Sequence, residues 1–281
     1  MDPASTRHTA LLLHGIGFAD SDARAVEAAL PPGVCGAPVR LVQSSGLGAA
    51  VSPVPVSVER AAHRIDARTD PLALPPAVLT VEAALAHGRV VDVMHRAGAL
   101  IPLRFGCFLH DEAAVAAMLE HRAEEFCRML HTVEGCVEMG VRILGTAHSL
   151  LPPTDGQPLA SAARDGGRGT AYLSARRGVY AAVERQHGDA AAITDSLRTQ
   201  LGGLFVQFRV EAGASRQEGT TLLASTYFLV ERASLGAFRS AFRALVRRVE
   251  RPLLLSGPWP PYNFVGPDDV SPPAHAPTTG A

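Results

Sequence analysis

A stretch without hydrophobic periodicity divides this chain into two parts, each of which alternates between strand-like and helix-like patterns. Residues 146–168 are rich in Pro, Gly, Ser and Asp, a composition typical of an interdomain linker or a mobile loop. In a chain of 281 residues, either part is long enough to bury a core of its own. We therefore expect two domains, at 1–145 and 169–265, followed by a compositionally disordered tail at 266–281.

The first part carries the mixed signals of an α+β domain. The apolar run from Thr9 to Ile16 has β character, and prolines hold residues 51–59 extended. Apolar spacing from Pro76 to Ala97 is helical and fits one long helix or two short ones. A strand is predicted around Leu100 to Arg104, and one apolar stripe predicts a helix from Asp111 to Val133.

Similar signals continue on both sides of the linker. Alternation from Val137 to Ile143 predicts a strand that closes the first domain. Beyond the linker, the pattern over residues 170–201 predicts two helices that meet near Gly188. The glycine pair at 202–203 is a natural helix end, because glycine readily adopts the left-handed conformation found there.

The remaining elements of the second part follow in the order strand, strand, helix. Alternation predicts strands at 204–210 and 221–231, and Ser234 is expected to cap the helix. The apolar face of that helix comprises Leu235, Phe238, Phe242, Leu245 and Val249. With a final strand, this order resembles half of a ferredoxin-like split βαβ unit, so the fold class is α+β.

Composition excludes several classes of partner. The chain has 26 basic and 27 acidic residues, a formal net charge of -1, which does not suit binding to nucleic acid or to an anionic membrane surface. No uncharged apolar run reaches the roughly 20 residues that a membrane span needs. The N-terminus lacks the cleavage site of a signal peptide, so we expect a cytoplasmic protein.

Potential metal ligands do not form a recognisable group. The four cysteines show no CxxC spacing and are expected to be free thiols. The histidines at 87, 95, 110 and 121 lie on or beside predicted helices without an HExxH motif. They are interpreted as surface histidines or as core histidines with hydrogen-bond partners, and no metal or cofactor is expected.

Catalytic motifs are incomplete. The segment LLLHGIG resembles the strand and His-Gly turn that lead into the oxyanion loop of an α/β-hydrolase, but the chain has no GxSxG nucleophile motif. A dinucleotide fingerprint that begins at Gly15 fails because its last position is Asp20. A phosphate-binding P-loop is excluded because the chain has no lysine. We therefore expect a protein that is not an enzyme, with a hydrolase built on the His14–Gly15 turn as the alternative.

The segment LSGPWPPYNFV, residues 255–265, contains the only tryptophan of the chain, Trp259. Its prolines restrict φ and remove backbone donors, so the segment is predicted to be rigid and extended without joining a sheet. Rigidity lowers the entropy lost when Trp259 is buried. Two roles remain open, a clasp against the neighbouring domain and an anchor for a partner.

Three stretches in this order resemble the gas vesicle protein family GvpF/GvpL. They are IPLRFGCF at 101–108, followed by a helix and VEMGVRI, then GTAYLSARR at 169–177, and LSGPWPPYNFV. The resemblance spans residues 77–265. Two positions depart from the family pattern: His14 stands where the first strand has an aromatic residue, and Asn263 where serine is common.

The resemblance implies an accessory or minor structural protein of gas vesicles, the gas-filled protein organelles that provide buoyancy. It implies an N-terminal modified ferredoxin-like domain and a C-terminal α+β domain, without a cofactor. The implied partners are the major hydrophobic shell protein and other gas vesicle accessory proteins, during nucleation and growth of the vesicle. A family relative without a vesicle role is a further alternative.

The residues expected to contact partners lie on the first strand, in the RFG block, on the helix after the linker and in the C-terminal segment. They are Leu12, His14, Ile16, Arg104, Phe105, Tyr172, Trp259, Tyr262 and Phe264. For Arg104 two interpretations stay open, an ion pair with Glu138 on a neighbouring strand and contact with a partner.

Overall fold

The chain folds around two antiparallel sheets, which confirms the α+β class. The computed structural model describes residues 7–19, 23–57, 80–146, 168–213, 216–217 and 220–265. The predicted tail and most of the predicted linker lie outside these residues. Among the described residues, no helix is long and apolar enough to cross a membrane.

The described residues form two units. The first contains those up to Val137 together with those from Trp259 onward, and the second runs from Glu138 to Pro258. The sequence placed the end of the first domain at residue 145, whereas the strand at 136–146 belongs to the second sheet. The division falls after Val137 because this strand pairs with strands of the second unit.

The first unit is a sheet with helices on both faces. Its strands are β1 (Arg7–Phe18), β2 (Arg40–Ser44), β3 (Leu47–Ser57), β4 (Ile101–Pro102) and β5 (Phe108–Leu109). Its helices are α1 (Ala23–Ala29), α2 (Val81–Ala97), α3 (Glu112–His121) and α4 (Ala123–Val133). The strand order is β2-β3-β1-β4, and β5 also pairs with β1.

The two faces of β1 pack into different parts of the core. Leu11, Leu13 and Ile16 pack with apolar side chains of β3, α3 and α4. Ala10 and Leu12 pack on the other face, with Val54 and with Ala83 of α2. Alternation alone would place Leu12 and Ile16 on one face, but an irregularity between Leu13 and Gly15 shifts the register. Ile16 therefore lies on the opposite face from Leu12.

Two helix predictions in the first unit have different outcomes. The segment 81–97 is one long helix, which begins where the Thr80 side chain accepts a hydrogen bond from Ala83 N. The Asp111 side chain caps α3 through Ala114 N, as the sequence indicates. The single helix predicted from Asp111 to Val133 is wrong, because Arg122 leaves helical geometry and separates α3 from α4. Its guanidinium forms two hydrogen bonds with Glu125, within the first turn of α4.

The second unit contains a sheet with the strand order β10-β6-β9-β7, to which β8 is added beside β9. Its elements are β6 (Cys136–Thr146), α5 (Arg168–Gln200), β7 (Gln207–Ala212), β8 (Arg216–Gln217), β9 (Thr220–Glu231), α6 (Leu235–Val246) and β10 (Leu253–Trp259). The helices α5 and α6 pack against β9 and against each other.

Three predictions for this unit need correction. The helix α5 runs without a break through Gly188, so the expected pair of helices is a single one of 33 residues. Ser234 precedes α6, but its side chain makes no capping hydrogen bond. The segment that was expected to avoid sheet pairing forms β10 up to Trp259. Because β10 lies at the edge of its sheet, Pro258 is compatible with a strand there.

Candidate partner-binding surface and the buried histidine pair

The strand that follows α2 is interrupted by a turn at residues 103–107, called the RFG turn below. On one side of the turn, β4 pairs with Gly15 and Ile16, and on the other, β5 pairs with Leu11 and Leu12. The interruption therefore lies opposite His14, the residue at which the register of β1 shifts against β3. Bulges of this kind redirect a side chain and are frequent beside functional sites.

Backbone hydrogen bonds tie both ends of the RFG turn to β1. Leu103 N donates to the carbonyl of His14 at 3.0 Å, and Leu13 N donates to the carbonyl of Cys107 at 2.8 Å. Within the turn, Cys107 N donates to the carbonyl of Arg104 at 3.3 Å. The turn is thus held at its ends, while the Arg104 side chain is exposed.

His14 and His87 form a buried stacked pair beneath this turn. Their ring centroids are 4.8 Å apart with an interplanar angle of 28°. His14 is 0% exposed and its Nε2 lies 3.0 Å from Oγ of Ser52, which is also 0% exposed. His87, on α2, is 3% exposed. The bulge therefore directs an imidazole into the core on the side of α2.

His87 connects the pair to the RFG turn. Its Nε2 lies 2.9 Å from the carbonyl oxygen of Leu103, and its ring packs 5.6 Å from the Phe105 ring. Because a carbonyl oxygen only accepts hydrogen bonds, Nε2 of His87 carries the proton and donates it. Nδ1 of His87 and Nδ1 of His14 are both buried without a hydrogen-bond partner.

This environment favours neutral imidazoles. Burial, followed by the charge of His87, lowers the pKa of His14 to about 3, although an interaction with the backbone of His87 acts in the opposite direction. Burial also lowers the pKa of His87, although its hydrogen bond to Leu103 acts in the opposite direction. Both rings are therefore neutral at physiological pH, where the pair acts as a polar part of the core.

The contact between His14 and Ser52 has the distance of a nucleophile and its general base. A substrate has no access to it in this conformation, because both side chains are fully buried. A Cβ atom at Gly33 would lie only 2.8 Å from Ser52 Oγ, so the backbone at Gly33 closely covers the hydroxyl. The pair therefore does not support the hydrolase alternative.

Gly106 allows the RFG turn its shape. Its φ of 104° is a conformation that residues with a side chain rarely adopt. We expect Gly106→Ala to lower the free energy of unfolding by about 1 to 2 kcal/mol. Denaturant unfolding measures this change. Gly88→Ala in α2 is the matched control, since its Cβ would meet no atom within 4 Å. A Gly106→Ala protein as stable as the wild type would contradict this account of the turn.

The C-terminal segment combines buried prolines with an exposed indole. Trp259 is 50% exposed, whereas Pro260 and Pro261 are buried and Phe264 is 0% exposed. Two short-range hydrogen bonds shape the segment, from Tyr262 N to the Pro260 carbonyl and from Phe264 N to the Pro261 carbonyl. The cis bond among the described residues is Gly257–Pro258, so Trp259–Pro260 is trans.

The remaining predicted contact residues occupy three kinds of position. Leu12, His14 and Ile16 are fully buried, so they present no surface to a partner in this conformation. Tyr172 lies on α5, and its side chain is outside the described part of the chain. Arg104 and Glu138 belong to different units, and the ion pair between them stays a prediction.

The sequence left two positions open for His87, at the surface or in the core with a hydrogen-bond partner, and the structure has it in the core, bonded to the Leu103 carbonyl. Its contact with His14 was not predicted. His95, on the same helix, bonds the carbonyl of Cys136 at 3.1 Å. A histidine within the apolar run LLLHGI was the available signal, because a polar side chain in a core strand needs a polar partner. The identity of that partner depends on how α2 packs against β1, which the sequence does not show.

A pocket of about 310 Å³ lies beside α2 in the first unit. Its lining includes Cys35, Thr80, Glu82 and Arg89. Cys35 is exposed and has a left-handed φ of 56°. Within the described ranges, no group of three or more His, Cys, Asp or Glu side chains is placed to hold a metal ion.

Solved structures resemble the chain over nearly its full length. The crystal structure of gas vesicle protein GvpF from Anabaena sp. PCC7120 has a TM-score of 0.64 at 15% identity, covering 95% of this chain and 99% of that chain. GvpF from Microcystis aeruginosa has a TM-score of 0.62 at 17% identity, with coverages of 92% and 99%. At these identities the likeness shows the fold.

Sequence comparisons show the family. Gas vesicle protein F of Streptomyces sp. (strain CB03234) is 31% identical over 190 residues, 64% of this chain and 76% of that protein. Gas vesicle protein L of the same strain is 30% identical over 245 residues, 83% of this chain and 85% of that protein. The sequence profile described as gas vesicle synthesis protein GvpL/GvpF matches residues 13–266. The chain therefore belongs to the GvpL/GvpF family of gas vesicle synthesis proteins.

Proposed function

We propose that this protein is a non-enzymatic assembly factor that binds the major gas vesicle shell protein and other gas vesicle accessory proteins during vesicle nucleation and growth. Membership of the GvpL/GvpF family supports a role in gas vesicle formation. The observation that carries the binding role is the half-exposed Trp259, which is followed directly by buried Pro260 and Pro261.

The backbone next to Trp259 is restricted in a way that suits a protein-binding residue. Pro260 and Pro261 restrict the backbone that follows it, and buried Phe264 fixes the end of the segment. Val265 packs against the core between the first sheet and α3–α4. A backbone that is already restricted loses little entropy on binding, and tryptophan is enriched among residues that dominate binding energy. Trp259 therefore acts as an anchor for an apolar partner surface.

The physical need for such a partner follows from the chemistry of the shell protein that the family resemblance implies. A hydrophobic shell subunit aggregates in water unless its apolar surface is covered before it joins the growing vesicle. The assembly factor covers part of that surface and delivers the subunit. Its place of action is the cytoplasm and the forming gas vesicle.

Coexpression of the chain with the major shell protein, followed by affinity purification of the chain, tests this function. We expect the wild-type chain to keep shell protein in the soluble fraction and to retain it on the affinity column. Trp259→Ala is expected to reduce the retained shell protein about tenfold or more, since hot-spot residues contribute about 2 kcal/mol or more.

Val210→Ala is the matched control for this experiment. Val210 is 52% exposed on the edge strand β7, so its truncation removes a similarly exposed apolar group elsewhere on the surface. Retention by Val210→Ala is expected to equal that of the wild type. Equal retention by a folded Trp259→Ala protein would exclude Trp259 as the anchor, and no retention by the wild type would exclude direct shell binding.

We propose that the first unit is a modified ferredoxin-like domain and that the second is related to a split βαβ domain. The order β9, α6, β10 in the second unit supports the latter, because the helix connects two strands of one sheet. Two domains of this kind also suit separate binding surfaces for the shell protein and for accessory proteins.

A further inference from the structure

We propose that the His14–His87 pair is an acid-sensitive latch, which holds the RFG turn in place while both rings are neutral and releases it when they take up protons. The inference concerns the isolated chain and does not depend on the proposed binding of shell protein.

The hydrogen bonds of Leu103 place the latch at the turn. Its N–H donates to the His14 carbonyl, and its own carbonyl accepts from Nε2 of His87. Both polar backbone groups of this residue are therefore held by the two histidines. The Phe105 ring, two residues further on, packs on the His87 ring. Displacement of the imidazole pair thus removes support from one end and from the middle of the turn.

Protonation is not compatible with the closed arrangement. An imidazolium carries a proton on both nitrogens, and Nε2 of each ring is already engaged, with Ser52 for His14 and with Leu103 for His87, so Nδ1 of each charged ring is a donor that needs a partner of its own. Both Nδ1 atoms are buried without a partner. A second proton would therefore create a buried, unsatisfied N–H and a buried positive charge, and two such charges on rings 4.8 Å apart would repel each other.

No neighbouring charge among the described residues offsets the free-energy cost of a buried imidazolium in this pair. The strand β3 contributes the neutral hydroxyl of Ser52, and Arg104 on the turn is exposed. On α2, Glu82 and Arg89 are also exposed, and buried His95 bonds the carbonyl of Cys136. In the described part of the chain, no carboxylate contributes to the pKa of either histidine. Charged imidazoles are therefore stabilised by water, which they reach when the turn opens.

The RFG turn has fewer backbone hydrogen bonds to β1 than β3 has, although Leu103 and Phe105 pack against the core. Backbone hydrogen bonds from its two ends connect it to β1, whereas β1 and β3 pair over nearly their whole length. Opening of the turn exposes the histidines without separating β1 from β3. The consequence is a change in how Arg104 and Phe105 are presented at the surface when the pH falls.

Hydrogen exchange of the full chain between pH 7.5 and pH 5.0 tests the latch. Intrinsic exchange is corrected with the same peptides from the denatured protein. We expect the opening equilibrium of the amides of Leu103 and Cys107 to rise about tenfold per pH unit for each histidine below about pH 6, and up to about 100-fold for the pair. The hairpin turn between β2 and β3, at residues 44–47 of the same sheet, is expected to keep its protection.

Glutamine variants identify the source of the effect. His87→Gln retains an N–H donor for the Leu103 carbonyl but does not titrate, so the acid response is expected to fall from up to about 100-fold to about tenfold per pH unit. The double variant, with His14→Gln and His87→Gln, is expected to show no acid response of the turn. His95→Gln is the matched control, because His95 is another buried histidine of α2 that bonds a backbone carbonyl, and its response is expected to equal that of the wild type.

Three results would overturn the proposal. One is a wild-type turn whose protection does not change between pH 6.5 and pH 5.0. Another is an equal loss of protection in the turn and in the β2–β3 hairpin, which indicates general unfolding. The third is an undiminished acid response in folded His87→Gln. The wild-type measurement decides the matter even if the double variant does not fold.

Discussion

Replacement of Phe228 by alanine is expected to lower the free energy of unfolding of the second unit by about 3 to 5 kcal/mol. Phe228 is 0% exposed on the central strand β9. Its ring centroid lies 5.2 Å from Phe205, 5.0 Å from Phe208 and 5.2 Å from Phe238. Truncation removes buried apolar area, leaves a cavity and eliminates three aromatic contacts. Denaturant titration followed by circular dichroism measures the change.

Val210→Ala on β7 is the control for this substitution. Val210 is 52% exposed, so its truncation is expected to change the free energy of unfolding by less than about 0.5 kcal/mol. A loss below about 1 kcal/mol for Phe228→Ala would contradict the central place of this ring in the second core.

Acidification is expected to destabilise the first unit between pH 7.5 and pH 5.0. The folded-state pKa of His14 is about 3, and that of His87 is also lowered from the ordinary value of 6.5. The neutral rings therefore contribute to the free energy of unfolding above pH 6.5. This contribution is lost as the pH falls towards the folded-state pKa, because the unfolded chain then binds more protons than the folded chain. The loss by pH 5.0 is expected to be about 2 kcal/mol for His14, and His87 adds a further loss in the same direction.

Urea unfolding at a series of pH values measures this loss. The carboxyl group of Glu125, whose pKa its hydrogen bond to Arg122 lowers below 4.5, is ionised in both states over most of this range. His14→Gln together with His87→Gln is expected to flatten the curve, whereas His95→Gln serves as the comparison. A wild-type curve that is flat from pH 7.5 to pH 5.0 would show that the pair is solvated or already charged in the folded protein.

The local spacing of apolar residues was sufficient to predict the strands and helices in which those same residues are buried. Alternation over 221–231 predicts β9, and the apolar spacing of α6 identifies Phe238, Phe242 and Leu245, which are buried. Asp111 was identified as the start of α3 because a carboxylate suits a helix N-terminus. In each case a property of neighbouring residues determines the element.

Long-range pairing determined the features that were missed. The apolar stripe from Asp111 to Val133 continues across Arg122, so periodicity does not reveal the break between α3 and α4. Gly188 weakens a helix by only about 1 kcal/mol relative to alanine, which packing against β9 and α6 can offset. Pro258 is compatible with a strand because β10 is an edge strand, a property of the assembled sheet.

The candidate site was predictable only in part, because long-range pairing also decides which of its side chains are exposed. The RFG block and the C-terminal segment were identified as motifs, but their exposure depends on the tertiary structure. Alternation along β1 suggests that Leu12, His14 and Ile16 share a face, whereas the register shift at His14 separates Leu12 from Ile16. Which side chains remain at the surface therefore follows from sheet register, and Trp259 and Arg104 are among those that do.

The most direct test of the proposed function uses Trp259 as its own reporter. Because the chain has one tryptophan, labelling with 5-fluorotryptophan gives a single ¹⁹F resonance. On addition of unlabelled shell protein, we expect this resonance to shift and to lose its dependence on the ratio of D₂O to H₂O, because the exposed indole becomes buried. An unchanged resonance with full solvent dependence at saturating shell protein would contradict the account.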